Sequence, residues 1–494
     1  MAKIVNRLPR LWLIIIFSFI LRVLFLQTRE IQYDDAFSIL LSKQSLGEII
    51  SGTAVDTMPP LYYLLLHFWM IVSDNLAWLR FLGVLLSLGS VILLYILVRE
   101  LVDEKAAFWA ATLAGLSPLQ IYHAQDLRMY SLLAISQLGY FWFFSRLFIT
   151  KKPSKFHAWN WIGLVLTAAV AMYSHNLAVF GLVVPNIYLL IKRKWKSLTH
   201  LLLAQMGVMI LAFPWMIMVP GQVEKIQRAF WTPRPGVVEL LQAVVLVHGY
   251  LPLATFKMGL VLIIGIQIMI MISMEVWKNY RKMESVQFLA AVALLIPMEL
   301  FITSYLMRPI FVTRGFIVST LAYFGLAGAV IARSIPKGVG SVILGSFILS
   351  AAISLPDMYT FNSFPRSPFQ EVTSYLKQIV QPGDLIVHDN KLSFFPVQVY
   401  DADLPQVFLP DETGSHNDTL AQGTQRALNL SPVENLDSTI ENVSRVIFVV
   451  FQKSQDEFLT AGFSDHPVIL QLKDHFRMTR EVRFNDLLCI IFEP

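Results

Sequence analysis

The sequence predicts an α-helical polytopic membrane protein, with about eleven transmembrane helices, that ends in a small extracytoplasmic α/β domain. Three observations carry this expectation. Of 494 residues, 55% are hydrophobic and only 15% charged, against roughly 25% charged in soluble globular chains. Apolar runs long enough to cross a bilayer core of roughly 30 Å recur up to about residue 355. Clusters of Lys and Arg stand between alternate runs, as they do on the cytoplasmic side of membrane proteins.

The expected spans lie near 11–27, 77–98, 106–119, 129–148, 160–175, 177–191, 198–219, 257–276, 286–306, 315–332 and 339–355. Residues 11–27 follow Lys3, Arg7 and Arg10 as a signal peptide would, but no small-residue cleavage site follows, so the first span is read as retained. The clusters Lys3/Arg7/Arg10, Lys151/Lys152/Lys155, Lys192/Arg193/Lys194/Lys196, Lys278/Arg281/Lys282 and Arg333/Lys337 fall on one side. That side is cytoplasmic by the positive-inside rule, which places the chain in the plasma (inner) membrane with its N-terminus inside. Residues 28–76, 119–128, 220–256, 307–314 and everything after about 356 then lie outside. Segment 59–72 is apolar but only about 14 residues long, too short to cross unaided. It reads as an interfacial helix with Tyr62, Tyr63, His67 and Trp69 at headgroup level, or else as a partial, re-entrant insertion.

The expected division is a membrane domain over 1–355, including the outer loop 28–76, and a soluble domain over 356–494. Past residue 356 prolines appear (Pro365, Pro368, Pro382, Pro396) and apolar runs shorten to strand length. PFQEVTSYLKQIV (368–380) has helical spacing, whereas DLIVHD (384–389), RVIFVVF (445–451) and DLLCIIFEP (486–494) read as strands. Strands alternating with helices indicate an α/β domain. The lone cysteine, Cys489, rules out an intrachain disulfide, so that domain must be held by its own core. The net charge of +5 follows from basic cytoplasmic loops and gives no reason to expect nucleic acid as a partner. Neither a Walker A loop nor a dinucleotide-binding glycine pattern is present.

The polar residues that could carry chemistry gather on the outer face. Asp34 and Asp35, in IQYDDAFSILL (31–41), are adjacent acids just past the first span. Two close carboxylates push their pKa values apart, which suits a general base or a metal site. The plain alternative is that one of them caps a helix starting at Ala36. SPLQIYHAQDLRMY (117–130) packs His123, Gln125, Asp126, Arg128 and Tyr130 between two spans. At helical spacing Asp126 and Tyr130 share a face, as do Gln125 and Arg128. The plain alternative is an exposed polar turn in which Asp126 and Arg128 pair. Arg22, Arg80 and Arg314 stand at the outer ends of spans, where a guanidinium either snorkels to headgroups or grips a phosphate. His175, in AMYSHN, is a candidate ligand or base. No metal-binding spacing such as HExxH occurs, so a metal site would be assembled across loops, with Asp35, Asp126 and His175 as candidates.

YDDAFS, MPPLYYLLLHFW, LSPLQIYHAQDLRMYSL and RPIFVTRG, in this order and on one membrane face, resemble the GT-C superfamily of membrane glycosyltransferases. Within it the similarity is to family 39, the group of protein O-mannosyltransferases and the lipid A aminoarabinose transferase, and it covers roughly residues 10–335. The resemblance implies an inverting transfer of a sugar from a polyprenyl-phosphate donor to an extracytoplasmic acceptor, whether lipid, glycan or protein. It implies Asp34 as general base, with Asp35 and Asp126 positioning it, holding the sugar or binding a divalent metal. It also implies Arg128 and Arg314, with Arg22, at the phosphate, and Gln125, Tyr130 and His175 beside the substrate. The outer domain would select or dock the acceptor. The alternative function is a transporter or flippase for a lipid-linked precursor, which would place polar residues near the bilayer midplane. Most spans here are clean at their centres.

Overall fold

The computed structural model describes residues 8–150, 157–228, 232–336, 338–360, 367–411, 415 and 419–494. Lys3, Arg7, Lys151, Lys152, Lys155, Lys337 and Pro365 lie outside the described residues. The chain forms two compact units. The first comprises Met1–Leu26, Thr57–Ile226 and Thr232–Ser363, and the second Gln27–Asp56, Gln227–Trp231 and Phe364–Pro494. The first part of the outer loop thus belongs to the same unit as the C-terminal region.

In the first unit, each expected span is a helix. Among the described residues, seven helices are long and apolar enough to cross a membrane: Leu76–Leu101, Tyr130–Ile149, Trp195–Met216, Thr255–Tyr280, Glu284–Leu306, Thr313–Ser334 and Val339–Thr360. The other four expected segments form shorter helices, Leu8–Val23, Glu104–Leu116, His157–Ser174 and Ala178–Ile191. Burial sorts the long helices. The most apolar window of Thr313–Ser334 is 89% buried, whereas that of Trp195–Met216 is 17% buried. Ile210 and Phe213 on the latter are exposed apolar side chains suited to lipid. The central helix packs on Glu104–Leu116 through small residues, the device that lets helix backbones approach in a membrane. At Gly328 a Cβ atom would meet the Ala106 carbonyl oxygen at 2.4 Å, so only glycine fits there.

The segment read as interfacial forms a helix over Leu61–Met70, but Tyr62 and Tyr63 are fully buried rather than at headgroup level. Trp69 stacks on Trp78 with ring centres 4.5 Å apart, and each indole N–H donates to the other residue's carbonyl, at 2.7 and 3.0 Å. The helix is therefore pinned to the start of Leu76–Leu101, and its tyrosines turn inward.

The second unit is built on a five-stranded sheet of β1 (Asp384–His388), β2 (Gln406–Phe408), β3 (Arg445–Phe451), β4 (Arg477–Phe484) and β5 (Leu487–Glu493), in the order β2-β1-β3-β5-β4. β1 pairs parallel with β2 and β3, and β5 pairs antiparallel with β3 and β4. β3 reads as a continuous apolar run because both of its faces are covered. Val446, Phe448 and Val450 enter one core, and Ile447 and Val449 the other. Cys489 lies in that second core, where burial pushes its thiol up to about 12 and leaves it unreactive. The expected strands at 384–389, 445–451 and 486–494 and the helix at 368–380 are all present, the helix as Phe369–Ile379.

Candidate active site

In the first unit, Glu104–Leu116 is followed by Ser117, whose hydroxyl caps the short helix Pro118–Ala124, with proline at its first position. A turn then leads into the helix that starts at Tyr130. This segment is not an exposed polar turn. Gln125, Asp126, Arg128 and Tyr130 are 3%, 8%, 6% and 1% exposed. Gln125 donates to the carbonyls of Arg22 at 3.0 Å and Leu24 at 2.8 Å, tying the turn to the end of the first helix. Its amide is thus occupied in holding the loop.

Tyr130 is the hub. Its ring centre lies 4.8 Å from that of His123 and 5.8 Å from that of His175. The guanidinium carbon of Arg314 stands 5.8 Å from the same ring. His123 Nδ1 is 3.4 Å from Asp126 Oδ2, one helical turn on. His175 Nδ1 accepts the Leu177 N–H at 3.0 Å, so the neutral ring carries its proton on Nε2. His175 lies within electrostatic reach of both Arg314 and Arg128. Arg314 sits in the short turn Thr313–Phe316, where a Cβ on Gly315 would press on Leu177 at 2.9 Å. The structure thus gathers Asp126, Arg128, Tyr130, His175 and Arg314, with His123, from three separate stretches of sequence. A guanidinium held against a buried aromatic ring, with a second one within electrostatic reach of the same histidine, suits a phosphate oxyanion.

Arg22, expected with them, has its guanidinium engaged by protein groups. It is fully buried; its Nε donates to Ser87 Oγ at 2.9 Å and its terminal nitrogens donate to the carbonyls of Gly115 at 2.9 Å, Ala114 at 3.1 Å and Ser18 at 3.2 Å. Two of these carbonyls belong to the last turn of Glu104–Leu116, where no intrahelical donor remains. Arg22 is a helix clamp. Arg80, also fully buried, donates to the Leu26 carbonyl at 2.8 Å.

Asp34 and Asp35 belong to the second unit. Their helix runs over Tyr33–Ser42 with Gln32 as its N-cap, whose side chain makes no cap hydrogen bond. Neither acid is therefore a cap, and the helix does not start at Ala36. Both acids lie in the first turn, where the helix dipole favours negative charge. Asp35 is 2% exposed, and Ser38 Oγ donates to the Asp34 carbonyl at 2.9 Å. The metal candidates divide, Asp35 in the second unit and Asp126 and His175 in the first. Among the described residues no group of three or more His, Cys, Asp or Glu side chains forms a metal cage. Sequence reasoning missed Lys391 and Tyr400, which touch the approach to this helix from far along the chain and leave no local signal.

Residues 57–218 match the family described as dolichyl-phosphate-mannose-protein mannosyltransferase. No curated protein matches the chain in sequence. Among solved structures, ArnT from Cupriavidus metallidurans bound to undecaprenyl phosphate superposes with a TM-score of 0.66 at 14% identity, over 97% of both chains. The oligosaccharyltransferase AglB from Archaeoglobus fulgidus, in complex with an inhibitory peptide and a dolichol-phosphate, gives a TM-score of 0.54 at 11% identity, over 99% of this chain and 74% of that one. The chain therefore has the fold of these membrane glycosyltransferases, and its residues 57–218 carry the sequence pattern of the mannosyltransferase family.

Proposed function

We propose that this protein transfers a sugar from a polyprenyl-phosphate carrier to an acceptor hydroxyl outside the cytoplasm, with inversion at the anomeric carbon. The observation that carries this reading is that Arg314 and His175 meet on the buried Tyr130 ring, with Arg128 within electrostatic reach of the same histidine. A donor whose tail lies in the bilayer needs an anion site at a helix end and no nucleotide-binding fold. The relatives of like fold that hold undecaprenyl phosphate or dolichol-phosphate support the same donor class.

In the reaction, the acceptor oxygen attacks the anomeric carbon from the face opposite the phosphate. The bond from that carbon to the phosphate oxygen breaks with both electrons going to the phosphate. Asp34 takes the acceptor proton, and Arg128 and Arg314 stabilise the charge that develops on the leaving group. Asp35 and Asp126 orient the base and hold sugar hydroxyls. The alternation of basic clusters along the chain supports an outer position for both acidic segments, where the acceptor would be met.

The test uses the purified full chain with a synthetic polyprenyl-phosphate sugar and follows release of polyprenyl phosphate, with and without a chelator. Turnover that disappears in Asp34→Asn and falls in Arg314→Ala is expected. Wild-type turnover in both variants would sink the assignment.

A further inference from the structure

The sheet of the second unit gathers several polar residues at the carboxyl ends of its parallel strands. β1 runs into Asp389, Asn390 and Lys391, and β2 ends two residues before Pro410, with Asp411 next. In open α/β sheets this edge is where a ligand binds. Here the edge is taken by the chain's own outer loop.

Lys391 is only 1% exposed and pairs with Asp411. Its ammonium stands 6.0 Å from the centre of the Tyr33 ring, a cation–π contact in a desolvated setting. Phe395, one turn on, meets Tyr33 with ring centres 5.4 Å apart. At the far end of the helix Lys391–Tyr400, the Tyr400 hydroxyl accepts the Ile31 N–H at 3.1 Å and donates to Glu30 Oε2 at 2.9 Å. The same carboxylate oxygen accepts the Gln370 N–H at 3.1 Å. Gln32 Nε2 donates to the Ser367 carbonyl at 3.3 Å. Further along the loop, Thr424 Oγ1 donates to the Gly52 carbonyl at 3.1 Å. Each of residues 30, 31, 32 and 33 is thus held by the C-terminal part of the chain, and Asp34 and Asp35 follow directly.

We infer that the C-terminal part of the second unit is the mount of the acidic helix, and that Lys391 and Tyr400 are positioning residues for Asp34. This rests on Asp34 being the base. It gives the sheet domain a role in the chemical step itself, distinct from docking an acceptor. A base that must meet a hydroxyl in line with a leaving group tolerates little displacement, and a misplacement of about 1 Å can cost roughly 10²-fold in rate.

Tyr400→Phe tests this, because it removes both hydrogen bonds and keeps the ring. The expected result is a kcat lowered about tenfold or more, with KM for donor and acceptor unchanged. Hydrogen exchange over residues 30–38 should rise while β1, β3 and β5 stay protected. Tyr375→Phe is the control: the Tyr375 hydroxyl has no hydrogen-bond partner among the described residues, so its loss should change nothing. A raised acceptor KM at unchanged kcat would overturn the inference in favour of acceptor docking, and an unchanged kcat with unchanged KM would overturn it outright. Asp34→Asn, run alongside, separates the two levels. If Asp34→Asn is fully active, the base assignment fails; if it is inactive while Tyr400→Phe turns over normally, only the mount fails.

Discussion

Arg314 holds its guanidinium carbon 5.8 Å from the centre of the Tyr130 ring, joining the turn before one helix to the first residue of another. An aromatic face fixes a guanidinium in orientation while leaving its N–H edge for an anion. Arg314→Ala and Arg128→Ala are therefore each expected to lower turnover by about 10²-fold, the scale for losing one preorganised charge-stabilising donor. Lysine at either position should restore only part of the rate, since it has no planar fork. The check is polyprenyl-phosphate release at equal amounts of folded protein.

Arg22→Met should behave in the opposite way. It leaves the carbonyls of Gly115 and Ala114 and the Ser87 hydroxyl without their donor. A buried polar group left unpaired costs about 1–3 kcal/mol. Thermal unfolding in detergent should shift down, while the kcat of the surviving folded fraction stays near wild type. A kcat loss as deep as that of Arg314→Ala, at unchanged thermal stability, would return Arg22 to the phosphate site.

Asp34→Asn should abolish transfer by about 10²–10⁴-fold, the usual worth of general-base assistance, and leave folding intact. Gln32 rather than Asp34 occupies the cap position, so the amide has no cap to disturb. Asp35→Asn should be milder if Asp35 only orients its neighbour. Circular dichroism and detergent-phase size exclusion establish the fold, and the release assay reads the chemistry.

The second unit should lose stability in acid through His388. The ring is fully buried at the end of β1 and bonded to Gln406 at 3.0 Å and Ser393 at 3.2 Å. Burial pushes its pKa down to about 3 from an ordinary 6.5, against the smaller raising effect of the Gln406 bond. The folded-state value is the lower one, so the unfolded chain binds the proton first as pH falls. Stability is then fully present above about pH 6.5 and erodes towards pH 3, by up to about 1.4 kcal/mol per pH unit. Denaturation midpoints measured across that window should show the slope in wild type and lack this part of it in His388→Gln.

A reporter active only outside the cytoplasm should work when fused after Pro494 and fail at Lys194. The motive is the alternation of basic clusters along the chain. Activity at Lys194 would invert the orientation.

The spans were legible because length and apolarity define them, and the eleven expected segments are helical. Arg22 and Arg314 show the limit of that legibility. Each is an arginine at the end of a span, and only the partners that folding brings, helix-end carbonyls for one and Tyr130 for the other, distinguish them. The start of the acidic helix was misread for a related reason. Two adjacent aspartates look like a cap, but the chain ahead of them is held by Tyr400 and Ser367, and the helix begins at Tyr33. β4 was missed because RMTREVRF is a charged edge strand, exposed along most of its length and lacking an alternating apolar pattern.

The second unit is discontinuous in sequence, and this sets an order of assembly. Its acidic helix leaves the ribosome right after the first membrane helix, long before the strands that hold it. β5, flanked by β3 and β4, must arrive before the sheet can close. Domains form as their segments emerge, so the helix bearing Asp34 waits without its mount while the remaining membrane helices insert. If Asp34 is the base proposed above, a nascent chain that already has all its membrane helices would still lack a fixed one, and transfer would begin only once the sheet has folded.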